Sequence, residues 1–216
     1  MKEQKVVFRR IPKNETLIIY IHGKGGTAEE AEHYKVLFSD CDVVGLDYKS
    51  ETPWEAKEEF PPLFQKLCKG YSRAILIANS IGAYLAMCAL PQENIDTAYF
   101  ISPIVNMEKL ICDMMLWANV SESELREMGT VKTNFGETLS WEYLSYVRSH
   151  PIQWTVHTDI LYGGQDNLTD LKTITDFANN HGAGLTVMEN GEHWFHTPEQ
   201  MEFLDKWLMG GYYGNR

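Results

Sequence analysis

The sequence predicts an α/β fold, in which helices flank a mostly parallel sheet of about seven strands. Two observations lead to this prediction. Short apolar runs rich in β-branched residues alternate along the chain with segments of helical periodicity. Several of these runs are almost unbroken in their hydrophobicity, as expected of parallel strands that are covered on both faces. Such alternation requires crossover helices between neighbouring strands.

The predicted strands follow the apolar runs in chain order. They comprise residues 5–11, 17–21, 43–46, 74–78, 97–102, 159–162 and 185–189. The predicted helices between them comprise residues 28–38, 54–68, 80–90, 168–180 and 198–209. Pro61 and Pro62 are expected to break or kink the second helix, because proline lacks the backbone N–H that a helix interior uses.

The segment 103–154 interrupts this alternation, since it contains no convincing core strand. Its apolar residues fall on one helical face: Met107, Leu110, Ile111, Met114, Met115 and Ala118. A capping box at Ser121–Glu124 predicts a short helix that Gly129 can close, and Ser140 begins another helix before Pro151. We therefore expect one domain over residues 1–216 with a helical cap insertion at about 103–154, on the carboxyl edge of the sheet.

Charge and cysteine content narrow the possible partners and compartments. Acidic residues outnumber basic ones by 30 to 19, a net charge of −11 that disfavours binding to nucleic acid or to an anionic membrane surface. The N-terminus shows neither a signal peptide nor a membrane span. Cys41, Cys68, Cys88 and Cys112 are widely spaced. A reduced, cytoplasmic monomer or homodimer is expected.

The strongest local motif surrounds Ser80. A buried strand, Ala74–Ala78, runs into a serine flanked by small residues, and an apolar helix follows at once. This strand–turn–helix pattern is typical of a nucleophilic serine, because the tight turn lifts the hydroxyl above the sheet and leaves no room for side chains two positions either side of it. It also directs the Ile81 N–H at developing negative charge. The alternative is that Ser80 only caps the helix.

A second motif places His22-Gly23-Lys24-Gly25-Gly26 directly after an apolar strand. A loop with so few side chains can bring backbone N–H groups close to an oxyanion. A phosphate-binding loop is the rival interpretation, but neither glycine-rich phosphate pattern is present. The remaining alternative is an ordinary tight turn.

Two further motifs follow later strands. Asp166 lies after Gly163-Gly164 in the loop before a helix, where a carboxylate can orient an imidazole. It could also be a simple Asx-turn residue, with Asp170 as the fallback acid. His193 lies just past the last strand and is the candidate base, whereas His196 is nearer the closing helix and is expected to be structural. A His-x-x-His metal site lacks a third ligand at suitable spacing.

Taken together, these motifs resemble the α/β-hydrolase family, in particular its small serine esterase and serine aminopeptidase-like members. Its catalytic residues occur in the order serine, acid, histidine, and Ser80, Asp166 and His193 follow that order. The resemblance implies oxyanion donors at the N–H groups of Ile81 and Lys24. One departure is Ala78, which replaces the first glycine of the family's G-x-S-x-G pattern.

The resemblance also implies an activity. We expect a serine hydrolase that cleaves a small apolar-acyl carboxylic ester, or a thioester or amide, through an acyl-enzyme, with no cofactor and no metal. A catalytically inactive binding protein on the same fold is the alternative, because one fold hosts many functions.

Overall fold

The computed structural model of the chain describes residues 15–214, and within them the predicted α/β architecture is confirmed. The strands are β1 (Thr16–Ile21), β2 (Asp42–Gly45), β3 (Arg73–Asn79), β4 (Ile95–Ile101), β5 (Thr130–Lys132), β6 (Thr138–Ser140), β7 (Thr158–Gly163) and β8 (Gly184–Met188). The helices are α1 (Ala31–Leu37), α2 (Pro53–Cys68), α3 (Ile81–Ala89), α4 (Met107–Ala118), α5 (Glu122–Met128), α6 (Trp141–Ser149), α7 (Leu171–His181) and α8 (Pro198–Gly214).

Six of these strands form one sheet in the order β2-β1-β3-β4-β7-β8, and every neighbouring pair is parallel. Within the described residues the sheet thus has six strands, one fewer than predicted, because the strand predicted at residues 5–11 lies outside them. From β1 the chain passes to β2 on one side, and from β3 it passes to β4 on the other. The carboxyl ends of β1 and β3 therefore border a topological switch point, where ligands bind in open α/β sheets.

Helices cover both faces of the sheet, which explains why its strands are hydrophobic on both sides. On one face, α1 and α8 pack through Tyr34, Leu204 and Leu208, together with Phe38 directly after α1. The opposite face carries the larger core, to which α2 to α7 all contribute buried side chains. The core therefore includes the buried side of the predicted insertion.

Helix α2 runs unbroken from Pro53 to Cys68 across Pro61 and Pro62, so the break considered for this helix does not occur. Thr52 begins it with a capping box, and Phe60 and Phe64 are buried in the core on either side of the two prolines. Burial of these two large aromatic side chains offsets the loss of two helical N–H donors.

The segment 103–154 contains three helices, α4, α5 and α6, and the last two begin at the predicted caps, Ser121 and Ser140. Ser121 and Glu124 form the capping box of α5, which Gly129 closes at a φ of 74°. The short antiparallel hairpin of β5 and β6 was not predicted. Its strands are only three residues long and half exposed, so they carry little of the hydrophobic alternation that marks a strand.

Candidate active site

Four loops meet at the carboxyl edge of the sheet, and each carries a predicted site residue. Lys24 follows β1, Ser80 follows β3, Asp166 follows β7 and His193 follows β8. Because the strands are parallel, all four of their carboxyl ends lie along the same edge.

Ser80 occupies a strained backbone conformation, with φ at 51° and ψ at −122°. A serine rarely adopts a positive φ, and such residues cost about 1–3 kcal/mol unless their surroundings hold them in place. The end of β4 holds this one on both sides: the Ser80 N–H donates to the Ile101 carbonyl at 3.0 Å, and the Ile104 N–H donates to the Ser80 carbonyl at 3.2 Å. The Ser80 hydroxyl makes no capping bond to α3, which rules out the helix-cap interpretation.

The structure explains why a glycine, Gly82, stands two positions after the serine. A Cβ at this position would lie 2.2 Å from the His22 carbonyl oxygen and 2.9 Å from that of Ile21. Only glycine allows the start of α3 to approach the end of β1 so closely. Ala78, the departure from the family pattern, is fully buried beside Ile21 and Phe100 in the sheet, so its methyl group is accommodated.

The Ser80, His193 and Asp166 side chains form a continuous hydrogen-bonded relay. The Ser80 Oγ lies 2.8 Å from His193 Nε2, and His193 Nδ1 lies 2.6 Å from Asp166 Oδ2. A carboxylate only accepts hydrogen bonds, so His193 Nδ1 carries a proton and donates a hydrogen bond to Asp166. Nε2 is then free to accept from the Ser80 hydroxyl. This arrangement can deliver a proton from the serine to the imidazole.

Asp166 uses its two carboxylate oxygens for different purposes. Oδ1 accepts from the backbone N–H groups of Leu168 at 2.8 Å and Thr169 at 3.1 Å, which is an Asx turn. Oδ2 accepts from His193, and the side chain is fully buried. The turn and the contact with histidine, which were alternatives in the sequence, coexist, and the turn orients the carboxylate. Asp170 instead caps α7 through the Thr173 N–H.

The acid loop and the histidine loop are joined through their backbones. Gly164 and Gln165 donate N–H groups to the carbonyls of Met188 and Gly191, both at 2.8 Å. A Cβ on Gly163 would lie 2.4 Å from the Glu192 carbonyl oxygen. The glycine pair after β7 therefore lets the two loops pack directly on each other, which holds Asp166 within reach of His193.

The glycine-rich loop after β1 lies directly against the serine. A Cβ on Gly23 would be 3.2 Å from the Ser80 Cβ. The Gly23 carbonyl accepts from the Gly26 N–H at 3.1 Å and from His22 Nδ1 at 2.8 Å. Among the described residues, the Lys24 N–H donates no hydrogen bond, and Ile81 is the first residue of α3, where N–H groups lack helical partners. Both predicted donors are thus available.

His196 takes no part in the relay. Its ring stacks on Trp194, and its Nδ1 donates to the Trp194 carbonyl at 2.7 Å. Within residues 15–214, no three histidine, cysteine or acidic side chains converge in a way that could hold a metal ion.

Two of the cysteines are poor candidates for a competing nucleophile. Burial raises the pKa of Cys68 and of Cys88 to about 11. At neutral pH these two thiols are therefore protonated and unreactive, since the thiolate is the nucleophile.

Two features beside the site were missed in the sequence. Tyr48, in the loop after β2, hydrogen-bonds the His22 carbonyl, and Glu137, in the turn between β5 and β6, pairs with Lys24 at 2.5 Å. Tyr48 reaches His22 because β2 lies beside β1 in the sheet. A local sequence motif does not reveal this contact, since it depends on strand order. The Glu137 contact depends on the hairpin, which has no clear sequence pattern.

Comparison with known proteins rests on structure, because no protein-family model and no curated protein matches the sequence. The chain superposes on α/β hydrolase domain-containing protein 10 from mouse with a TM-score of 0.72 at 14% identity, covering 93% of this chain and 90% of that one. For Est1E from Butyrivibrio proteoclasticus the TM-score is 0.68 at 16% identity, over 92% and 88% of the two chains. For a lipase-esterase related protein from Clostridium acetobutylicum the values are 0.60 and 15%, over 91% and 94%. With its parallel sheet, the serine turn after β3 and these structural neighbours, the chain has the α/β-hydrolase fold.

Proposed function

We propose that the chain is a serine hydrolase that cleaves small carboxylic esters through an acyl-enzyme. The observation that carries this proposal is the relay from the Ser80 hydroxyl through His193 to the buried Asp166 carboxylate. Strain at Ser80 supports it, since strained backbone held in place by its surroundings clusters at active sites. Structural neighbours described as esterases point the same way.

The reaction proceeds in two steps, acylation of Ser80 and hydrolysis of the acyl-enzyme. The Ser80 Oγ attacks the carbonyl carbon while its proton passes to His193 Nε2, and the resulting oxyanion collapses to expel the alcohol oxygen, which takes that proton. Water then attacks the acyl carbon while His193 Nε2 takes a proton from it. The second oxyanion collapses with cleavage of the bond between the acyl carbon and Ser80 Oγ, which takes the proton back from His193, and the carboxylic acid leaves. The N–H groups of Ile81 and Lys24 stabilise the oxyanion in both steps. Asp166 orients the imidazole and stabilises its charged form.

We further propose that residues 103–154 act as a cap over the acyl pocket. In support, the hairpin turn of this segment reaches the glycine-rich loop through the Lys24–Glu137 ion pair. Trp117 on α4 packs against Phe135 in the same turn, with ring centroids 6.2 Å apart, and both rings are exposed. These apolar groups suit a small to medium acyl chain. A thioester or an amide is the next candidate substrate.

The decisive test replaces Ser80 by alanine. We expect Ser80→Ala to lose more than 99% of the hydrolysis of p-nitrophenyl acetate, because loss of a triad member removes most of the catalysis, and to lose all labelling by a fluorophosphonate probe. Circular dichroism should show that the variant stays folded.

Ser102→Ala is the matched control. Ser102 is a second serine with positive φ, at 41°, and its buried hydroxyl has no hydrogen-bond partner among the described residues. Its loss should leave hydrolysis and labelling unchanged. Wild-type protein that is neither active nor labelled would instead point to an inactive binding protein on this fold.

A further inference from the structure

The carbonyl oxygen of His22 lies at the junction between the glycine-rich loop and the serine turn. The Tyr48 hydroxyl donates to it at 2.7 Å. On its other side is Gly82, whose position leaves no room for a Cβ beside this same oxygen. One atom of the loop is therefore held between a tyrosine from the β2 side and the start of α3.

The Tyr48 ring also holds the His22 imidazole. The two rings stack with centroids 4.2 Å apart and an interplanar angle of 13°. His22 Nδ1 in turn donates to the Gly23 carbonyl at 2.8 Å. Tyr48 thus acts on two consecutive peptide groups, on the first through its hydroxyl and on the second through the stacked imidazole.

The direction of the Gly23 carbonyl decides where the Lys24 N–H points, and the His22 carbonyl fixes the peptide group directly before it. In a trans peptide the C=O of one residue and the N–H of the next point in opposite directions, and the described chain has no cis peptides. Because the Gly23 carbonyl is turned into the loop, towards the Gly26 N–H and the His22 ring, the Lys24 N–H is turned out of it. The loop packs on Ser80 through Gly23.

Tyr48 is itself rigidly placed. It is buried, and its ring packs edge-on against Phe60 of α2, with centroids 4.8 Å apart. Burial raises the pKa of Tyr48 well above its ordinary value, so the hydroxyl remains a donor across the whole working range of an imidazole base.

From this geometry we propose that Tyr48 is a positioning residue of the oxyanion hole, which fixes the Lys24 N–H through the His22 carbonyl and the stacked His22 ring. The inference rests on the proposed hydrolase function. Tyr48 does not touch the reacting atoms, and its effect falls on the transition state, in which the oxyanion forms, more than on substrate binding.

Tyr48→Phe tests this proposal, because it keeps the stacked ring and removes only the hydroxyl. Loss of a whole oxyanion donor costs about 10²–10³ in rate, so a displaced donor should lower kcat for p-nitrophenyl acetate about ten- to a hundredfold with little change in KM. Rates are expressed per site titrated to completion with a fluorophosphonate, so that unfolded protein does not count. The acid limb of the pH profile should be unchanged, since the relay to Asp166 is intact.

Inhibition by a trifluoromethyl ketone distinguishes a positioning role of Tyr48 from a purely structural one. It forms an adduct with a nucleophilic serine whose oxygen occupies the oxyanion hole, so its Ki should rise by the same factor as kcat/KM falls. Tyr71→Phe is the matched control: the Tyr71 hydroxyl donates to Asp42 Oδ2 at 3.0 Å at the opposite edge of the sheet, and its removal should change neither kcat/KM nor Ki.

The outcomes separate the two proposals. An active wild type whose Tyr48→Phe variant matches it within twofold in kcat and in Ki overturns the positioning role alone. The same holds if only the melting temperature falls. An inactive, unlabelled wild type overturns the proposed function itself.

Discussion

At the scale of single residues, the site contains two histidines whose surroundings differ sharply. His193 is enclosed, with 15% of its side chain exposed, and bonds both Ser80 and Asp166. His196 is 41% exposed and bonds only local groups, the Trp194 carbonyl and Glu192. Proximity in sequence therefore does not imply a shared role.

This contrast yields a paired prediction. His193→Ala should lower kcat/KM for an activated ester by a factor of about 10³ or more, because the serine loses its base, and His196→Ala should stay within threefold of wild type. Wild-type activity should also fall on acidification, since a protonated imidazole cannot accept the serine proton. The reverse ranking of the two variants would show that the base has been misassigned.

At the scale of secondary-structure elements, α4 divides its methionines between two environments. Met115 is 6% exposed and belongs to the main core, together with Met107 and Ile111, whereas Met114 is only partly buried against it. The apolar face that the sequence predicts on α4 is thus largely a packing surface. Only the partly buried residues at the edge of this face, such as Met114, are available to line the proposed acyl pocket.

The two neighbouring methionines separate packing from specificity. Met115→Ala should destabilise the protein by about 2–5 kcal/mol, as for other core truncations to alanine, and leave substrate preference unchanged. Met114→Ala should cost less stability and move the preferred chain length in a series of p-nitrophenyl esters, whose optimum we expect between about two and eight carbons. If activity rises steadily with acyl chain length, or if Met114→Ala leaves the preferred length unchanged, the segment 103–154 contributes to packing and not to substrate preference.

At the scale of the whole molecule, ion pairs connect the segment 103–154 to two loops outside it. Besides Lys24–Glu137, the Lys109 ammonium on α4 contacts Asp170 at 3.0 Å, at the start of α7. The pKa of Asp170 is lowered to about 2, first by the hydrogen bond from the Thr173 N–H and then by Lys109. Because the folded-state pKa is below the ordinary 3.8, the carboxylate stabilises the fold at neutral pH and loses this contribution as the pH falls towards 2.

Asp170→Asn tests the contribution of the Asp170 charge, since asparagine still caps α7 but carries no charge. We expect the free energy of unfolding in urea to be lower for the variant than for wild type at pH 7, by less than about 1 kcal/mol because both partners are well exposed, and the difference to shrink below about pH 4. A difference that is constant with pH would show that the Asp170 charge does not contribute to stability.

The fold was largely predictable because its signals are local. Buried parallel strands such as β3 are continuous apolar runs, and helix starts such as that of α5 are capping boxes. What could not be predicted depends on tertiary contacts. Two buried aromatic side chains carry α2 across its prolines, and Tyr48 reaches His22 only because β2 lies beside β1. Of the candidate site, the order of motifs predicts which residues converge, and the packing decides how they are oriented.

The strain at Ser80 means that stability and activity rank this position in opposite ways. Glycine tolerates a positive φ at no steric cost, so a library selected only for resistance to heat is expected to enrich glycine at position 80, where φ is 51°. A library selected for turnover would reject the same substitution. Sites where two such selections disagree can be mapped with an activated ester alone, before the natural substrate is known, and the residues that pack near Ser80 at the ends of β1 and β4 are where that disagreement should be sought next.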